Sequence, residues 1–283
     1  MIREAGPRDR AAIEAILLRH ADAAMFPLAN LRNHGLGQGD FATAHAHATR
    51  FWISGSGGVL ALSRSGMLMP MLPDPFEAAR FRPCLAGLPI NGAVGPADQL
   101  RPLLAGLGLA GSQTLVNRDE PGFALDLAAL RMPMADGAHL VPPDATQRAL
   151  LVDWRADYHR TVLGTREDQR RQRAGSEVDS WVTQRSHRIL MLNGSPVALT
   201  GFNAILPERV QVGGVYTPPA LRGRGHARLA VALHLAEARS QGVVRAVLFA
   251  ASDAAAKAYL AIGFQPATTF ALILFPEPRQ VQA

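Results

Sequence analysis

Between Thr217 and Gly225 the chain reads Pro-Pro-Ala-Leu-Arg-Gly-Arg, and a helix-forming run follows from His226 to the glycine at 242. A helix start leaves several backbone N–H groups unpaired. Most helices cover some of them with a Ser, Thr, Asp or Asn cap, and none stands here after Thr217. Open donors, the positive end of the helix dipole and two glycines that let a ligand touch the backbone make an anion site. Arg222 and Arg224 add formal charge, and a diphosphate fits that chemistry. The plain alternative is a Gly-rich turn whose arginines face water, since a lone Gly-rich motif is weak evidence. The loop is neither a Walker sequence, lacking Gly-Lys-Ser/Thr, nor a Rossmann fingerprint, because a prolyl turn intervenes.

Other groups with chemical potential are few. Tyr259 lies in "SDAAAKAYLAIGF" near the end of a short predicted helix. Asp157, Tyr158 and His159 adjoin on an earlier one. Gln211 and Tyr216 stand on the strand before the loop, with Glu208 in the turn ahead of it. Cys84 is the only cysteine, which rules out an internal disulfide and argues against a Cys-based zinc site; no metal is expected.

The elements that must hold these groups can be read in order. "DATQ" (Asp144 to Gln147) has the form of a capping box. The helix after it sets Leu150, Leu151, Trp154 and Tyr158 on one face, and a polar helix is expected over 165–184. "HRILMLNGSPVALTGFNAIL" reads as a hairpin turning at Asn193-Gly194. "RVQVGGVYT" is a third strand, in which Gly213 and Gly214 permit a bulge. A helix, the strand "VVRAVLFA", the short helix with Tyr259 and the strand "FALILF" (270–275) complete this half.

The first half repeats the order. "DRAAIEAILLRHA" is helical, "GGVLALSRSGMLMPML" is a hairpin broken at Ser65-Gly66, "LPINGAVG" is a strand and "PADQLRPLLAGLGL" a helix, and "GFALDLAAL" carries a strand-like run. "INGAVGPADQLRPLL" resembles "QVGGVYTPPALRGRG" locally, which suggests an internal duplication. Met67, Met69 and Met71 form one face of a buried strand or line an apolar pocket. The Pro- and Gly-rich segment 130–147 reads as a linker. Two domains are expected, 1–135 and 136–283, in a chain of 283 residues.

Composition sets outer bounds. Hydrophobic residues make up 48% and charged residues 18%, as in a soluble globular protein. The net charge is +6, and Lys257 is the only lysine, so arginine supplies nearly all the positive charge. With 6% aromatic residues and no basic run interleaved with them, a nucleic-acid partner is not expected. No apolar run approaches a membrane span, and "MIREAGPRDRAAIE" has charges where a leader needs an apolar core, so the expected compartment is the cytoplasm. The oligomeric state is left open.

"R-G-R-G-H-A" (Arg222 to Ala227) matches the Q/R-x-x-G-x-G/A signature of the GNAT N-acetyltransferase superfamily, and "VLFAASDAAAKAYLAIGF" is similar to that family's later strand and helix, ending in Tyr-x-x-x-Gly-Phe. The resemblance covers roughly Ala145 to Phe275, and within the superfamily it is strongest to the glycine N-acyltransferase-like branch, in two-domain bacterial members. It implies an α/β fold of α+β mixed-sheet type, with tandem acyl-CoA N-acyltransferase (GNAT-like) domains of which the first is degenerate. It implies acetyl-CoA as cosubstrate, wedged between splayed strands 210–217 and 244–250. The pantetheine arm would pair with the backbone of Val215 to Thr217, Tyr216 included. Arg222, Gly223, Arg224, Gly225, His226 and Ala227 would hold the pyrophosphate, and Ser252 stands where the family often has an asparagine on the cofactor. Serine at this position equally suits a helix cap. A backbone donor near Val215 would steady the oxyanion. Tyr259 takes the general-acid position, protonating the leaving thiolate; its other reading is a helix tyrosine packed on the sheet. Lys257, four residues after Asp253, suits a surface pair.

The implied activity is acetyl transfer to an amine of a small molecule or peptide, with a non-catalytic acyl-CoA-binding or regulatory module as the alternative. The strand before the loop offers no carboxylate as base. An amine of pKa roughly 8 to 10 would then lose its proton through water, or to Asp157, Tyr158 or His159. His226 is expected to serve through its backbone. In the first half, Pro102 falls where the aligned signature needs glycine and removes a donor. That half is therefore expected not to bind CoA.

Overall fold

The structure is a computed structural model that describes residues 2–37, 41, 43–134 and 136–282. Along the chain its elements are β1 (Ile2–Glu4), α1 (Arg10–Arg19), α2 (Met25–His34), β2 (Thr49–Ser54), β3 (Val59–Ser63), β4 (Met67–Met71), α3 (Arg82–Leu85), β5 (Ile90–Pro96), α4 (Ala97–Gly106), β6 (Val116–Glu120) and β7 (Gly122–Asp126). Then follow β8 (Ala138–Val141), α5 (Arg148–Thr161), α6 (Glu167–Gln184), β9 (His187–Leu192), β10 (Ser195–Ile205), β11 (Arg209–Tyr216), α7 (His226–Ser240), β12 (Arg245–Phe249), α8 (Asp253–Ala261), β13 (Gln265–Pro266) and β14 (Phe270–Arg279). No described helix is long and apolar enough to cross a membrane.

The chain forms two compact units, one of residues 1–120 with 268–283, the other of residues 121–267. This division differs from the sequence-based 1–135 and 136–283, whose boundary residue 135 lies outside the described residues. The reason is an exchange of strands. β7, which precedes the second unit's own strands, pairs with β12 and β13. β14, which follows them, pairs with β5 and β6. The second unit thus begins with β7, and the first completes its sheet with β14 from the far end of the chain. The expected linker also contains a strand, β8, which pairs with β9.

Both units have a mixed seven-stranded sheet, in the order β1-β2-β3-β4-β5-β14-β6 in the first and, read from its other edge, β8-β9-β10-β11-β12-β7-β13 in the second. In each, one neighbouring pair is parallel: β4 with β5, and β11 with β12. The counterpart of β11 is therefore β4. The expected match between "INGAVGPADQLRPLL" and the 211–225 stretch is off by one unit of structure: β5 and α4 correspond to β12 and α8. Pro102 lies inside α4 and is no part of a cofactor loop.

In the second unit, helices cover both faces of the sheet. α7 lays Val231, Leu235 and Ala238 against Val210, Val212, Ala246 and Leu248. On the other face α5 and α6 set Leu151, Trp154, Val178 and Trp181 against Ile189, Leu199 and Tyr216. Burial of this kind stabilises by about 25 cal/mol per Å² of apolar surface removed from water, and it fixes the sheet on which the loop is mounted. The β9–β10 hairpin turns where expected, with Asn193 and Gly194 both at positive φ (50° and 78°). In the first unit Met69 and Met71 are buried, as one face of a core strand requires.

Candidate active site

β11 and β12 pair in parallel at Arg209–Arg245, Val210–Ala246 and Gln211–Val247, and the pairing ends there. β11 nevertheless runs on to Tyr216 and β12 to Phe249. The opening has a local cause. Between the pairs Gly201–Gly213 and Leu199–Tyr216, β11 advances one residue more than β10. The extra residue is taken up at Gly214, whose φ is +63°. This is the expected bulge; only glycine enters that conformation at no steric cost, and it turns the strand away from its parallel neighbour.

At the open end the chain leaves β11 through Thr217 and a 3-10 turn, Pro219–Leu221. The Arg222 Nε donates to the Thr217 carbonyl at 3.0 Å, which closes the loop on itself. Gly223 (φ +78°) and Gly225 (φ +81°) make the final bend into α7, and no side chain caps that helix. Nothing lies within 4 Å of where a Cβ on Gly223 would stand, so the bend is open to a ligand. The first-turn N–H groups of α7 face this space with the dipole's positive end behind them. Arg222, Gly223 and Arg224 are exposed, while Gly225, His226 and Ala227 are half-buried. The structure therefore gathers Val215, Tyr216, Thr217 and residues 222–227 at one mouth.

Tyr216 adds a feature the sequence did not show. Its ring meets Trp154, and its hydroxyl donates to Asp157 Oδ2 at 2.9 Å. Burial and the adjacent carboxylate push the phenol up to about 12. Its side chain belongs to α5, leaving only its backbone for a ligand. Burial pushes Asp157 upward, but hydrogen bonds from Arg160 and Tyr216 and the charges of Arg160 and Arg222 outweigh that, holding it below the usual carboxylate range. Arg222 Nη2 stands 3.9 Å from Asp157 Oδ2. Thr217 Oγ1 is buried without a hydrogen-bond partner.

Tyr259 is 7% exposed, on α8, in the core that holds β11, β12 and α7, with its ring 6.0 Å from that of Phe264. Ser252 caps α8: its hydroxyl accepts from the Ala255 N–H at 3.3 Å. Among the candidate bases, His159 is buried, its Nδ1 on Thr165 Oγ1 at 2.8 Å and its Nε2 on Glu177 Oε2 at 3.2 Å. Burial raises Glu177, yet His159 and Arg155 together lower it to about 2. Tyr158 lies under the Arg155 guanidinium, 4.6 Å from the ring centre. Asp157 is engaged as described. These groups tie α5 to α6 and to β11. Sequence reasoning passed over His187, whose ring is buried beside the bulge; the signal was a histidine two residues before Ile189, on the face of β9 that α6 covers.

Residues 148–264 match the model of the acetyltransferase (GNAT) family. That stretch spans most of the second unit, which is therefore similar to a GNAT-family domain. Several solved structures share the fold. A Drosophila protein from a structural genomics programme is 14% identical with a TM-score of 0.64, covering 97% of this chain and 98% of its own. A GCN5-related N-acetyltransferase from Sphaerobacter thermophilus is 15% identical at a TM-score of 0.56, over 100% and 96%. A tandem GNAT protein from the clavulanic acid biosynthesis pathway is 14% identical at 0.55, over 100% and 99%. At such identities the likeness is one of fold. No curated protein sequence matches the chain.

Proposed function

We propose that the second unit is an acetyl-CoA-dependent N-acetyltransferase acting on an amine of a small molecule or peptide, in the cytoplasm. One observation carries this reading: the single parallel pair of its sheet opens past Gln211, beside a helix start left uncapped between Gly223 and Gly225. The open strand edge suits an extended amide-bearing arm, and the helix start with Arg222 and Arg224 suits a diphosphate. The buried, unpartnered Thr217 Oγ1 between them fits a ligand's polar group. The glycine N-acyltransferase-like branch is proposed on the Arg222–Ala227 and Tyr259–Phe264 motifs alone.

The residues divide the work. Backbone at Val215 and Thr217 would hold the arm, and 223–227 the diphosphate. The N–H near Val215 would meet the charge that develops on the thioester carbonyl. Tyr259 would hand its proton to the departing sulfur. Calorimetric titration with acetyl-CoA tests the reading. Wild-type protein should bind, and Gly225→Val should weaken binding at least tenfold, since φ of +81° strains any side chain. Tyr259→Phe should bind normally and transfer acetyl about 100-fold more slowly. A wild-type protein that ignores acetyl-CoA would sink the proposal; binding with no turnover over a broad amine panel would leave a binding module.

A further inference from the structure

The face of the sheet under α5 and α6 carries a polar notch at the bulge. His187 on β9 is 3% exposed and stacks on Trp181 of α6, with ring centres 4.1 Å apart. Its Nδ1 is 2.9 Å from Ser186 Oγ. Its Nε2 is buried and has no partner. The ring lies where two glycines leave room: a Cβ on Gly201 would fall 2.2 Å from Nε2, and one on Gly214 would fall 3.0 Å from it. Nε2 is thus aimed at the bulge that opens the wedge.

Two more side chains share the notch. Val210 and Val212 face α7, so Gln211 between them faces the other way. Its Nε2 donates to the Val212 carbonyl, while its Oε1 is buried with no partner. Asn203 is the extra residue where β10 is itself irregular between Phe202 and Ala204. It is exposed, and its carboxamide lies on Gly213, with Nδ2 1.8 Å from where a Cβ would stand. Buried polar atoms without partners are costly and uncommon. Two of them on one face, beside an exposed amide and a glycine floor, mark a place for hydrogen-bonding ligand atoms.

We propose that this notch is the acceptor subsite, in which Asn203 and Gln211 orient the amine nitrogen and His187 Nε2 takes its proton. The inference rests on the acetyltransferase reading. As the amine lone pair bonds to the thioester carbon, nitrogen gives one proton to His187, the carbon–sulfur bond breaks with its electrons on sulfur, and the thiolate takes a proton from Tyr259. The products are an amide and free CoA, and no other reactant is needed. The base that β11 itself does not supply then comes from the neighbouring hairpin. Burial holds the imidazole well below the ordinary histidine value, and the charges of Arg155 from α5, His234 from α7 and Arg188 on β9 act in the same direction. The ring is therefore uncharged and able to accept at neutral pH.

The test uses the full chain, acetyl-CoA and the best primary amine from a panel, with CoA release as the readout. His187→Gln keeps a hydrogen-bonding group in the stack but no base. It should bind acetyl-CoA within twofold of wild type, lower kcat by about 100-fold, and lose the wild-type acid limb, which lies below pH ~6.5. Imidazole should restore part of the rate to His187→Ala. Asn203→Ala, at an exposed site, should raise the amine KM about tenfold, the cost of one lost hydrogen bond. A glutamine variant within threefold of wild type, with an unshifted pH profile, overturns the role of His187. Should that variant fail to bind acetyl-CoA, an unchanged amine KM in Asn203→Ala overturns the subsite. A wild-type protein that turns over no amine defeats the function proposal itself.

Discussion

The two units share one sheet order, and the difference that bears on a ligand lies at and just beyond the parallel pair. In the second unit β11 parts from β12 through a glycine bulge, and the loop beyond it is rich in glycine and arginine. In the first, β4 and β5 pair at Met67–Gly92 and Leu68–Ala93, and the space past them is filled from within. A Cβ on Gly95 would meet the Pro70 ring at 3.0 Å, and Pro70 has no N–H to offer. The next donor, the Leu72 N–H, is taken by Gln99 Oε1 at 2.7 Å. After β4 the chain reads Leu72-Pro73-Asp74-Pro75, with no glycine and a negative charge. The long α7 is replaced by a 3-10 segment, Pro75–Phe81, and the four-residue α3. A shared sheet order therefore does not by itself make the proposed cofactor site, which also needs the unfilled strand edge and the uncapped helix that the second unit has. We propose that the first half binds no CoA because of Pro70, Gln99 and the glycine-free 72–75 loop; Pro102, inside α4, plays no part.

The largest break in the comparison comes from cutting the chain. Residues 136–283 lack β7, so β12 loses its antiparallel partner, and β14 brings Phe270, Ile273 and Phe275 with no sheet to bury them. That fragment should be insoluble or unfolded. Residues 121–267 keep every strand of the second sheet and should unfold cooperatively and bind acetyl-CoA. Circular dichroism melts and the calorimetric titration check both. A stable 136–283 fragment would show that the exchanged strands are dispensable.

Local signals explain what the sequence revealed and what it hid. The Asn193-Gly194 turn, the Gly213-Gly214 bulge and the uncapped start of α7 are decided by residues adjacent in the chain, and each was legible. The Asp144–Gln147 stretch instead closes a turn of its own, with Thr146 N donating to Asp144 Oδ1 at 2.7 Å and Asp144 N to Gln147 Oε1 at 3.0 Å, and the helix begins only at Arg148, after Gln147, with no side-chain cap. The strand exchange was not legible. "GFALDLAAL" and "FALILF" both read as strands, but pairing partners far away in sequence determine which sheet each joins. β8, only four residues long, was hidden in a Pro- and Gly-rich stretch. His187 was missed because its role depends on the missing Cβ atoms of Gly201 and Gly214, which approach it only after folding.

Acid should weaken both units, since burial and the neighbouring histidines also hold His34 and His47 of the first below the ordinary value, but the second more, because its histidines are the buried ones. His234 in α7 stacks on Phe202 with ring centres 3.8 Å apart, and its Nδ1 has no partner. Burial, then the charge of Arg188, lowers it to about 3. An unfolded histidine titrates near 6.5, so the unfolded chain takes up its proton first as the pH falls. Stability is complete above about pH 6.5 and declines toward about pH 3, by an amount on the order of a few kcal/mol. His187 adds to it with the same sign. Glu177 and Asp157, held low, lose their contributions only below the ordinary carboxylate range. Urea midpoints at pH 7 and pH 5 isolate the histidines. The second unit should weaken over that interval, and His234→Leu should remove part of the loss; equal midpoints at both pH values would contradict it.

Gln99→Ala sharpens the contrast from the other side. It removes the acceptor from the Leu72 N–H and should cost about 1–3 kcal/mol, the desolvation penalty of a part-buried unpaired donor. Acetyl-CoA affinity should not change, because the edge it exposes still has Pro70 and no glycine loop. A second acetyl-CoA equivalent in the titration would mean that Gln99 alone had closed a working site.

The smallest effect concerns Ser252, which the family pattern places on the cofactor and the structure places on a helix end. Its hydroxyl already accepts from the Ala255 N–H, with extended backbone at φ −161° and ψ 158°, as an N-cap requires. Ser252→Ala should therefore cost about 1 kcal/mol of stability, while Ser252→Asp should keep the cap. If capping is its whole role, acetyl-CoA affinity stays within twofold in both variants. A tenfold loss in the alanine variant would show a direct contact with acetyl-CoA, because a hydroxyl can accept from Ala255 and still donate its own hydrogen to a ligand. The aspartate variant tells the two apart: a carboxylate caps as well as serine but has no hydrogen to donate, so it would restore stability without restoring affinity.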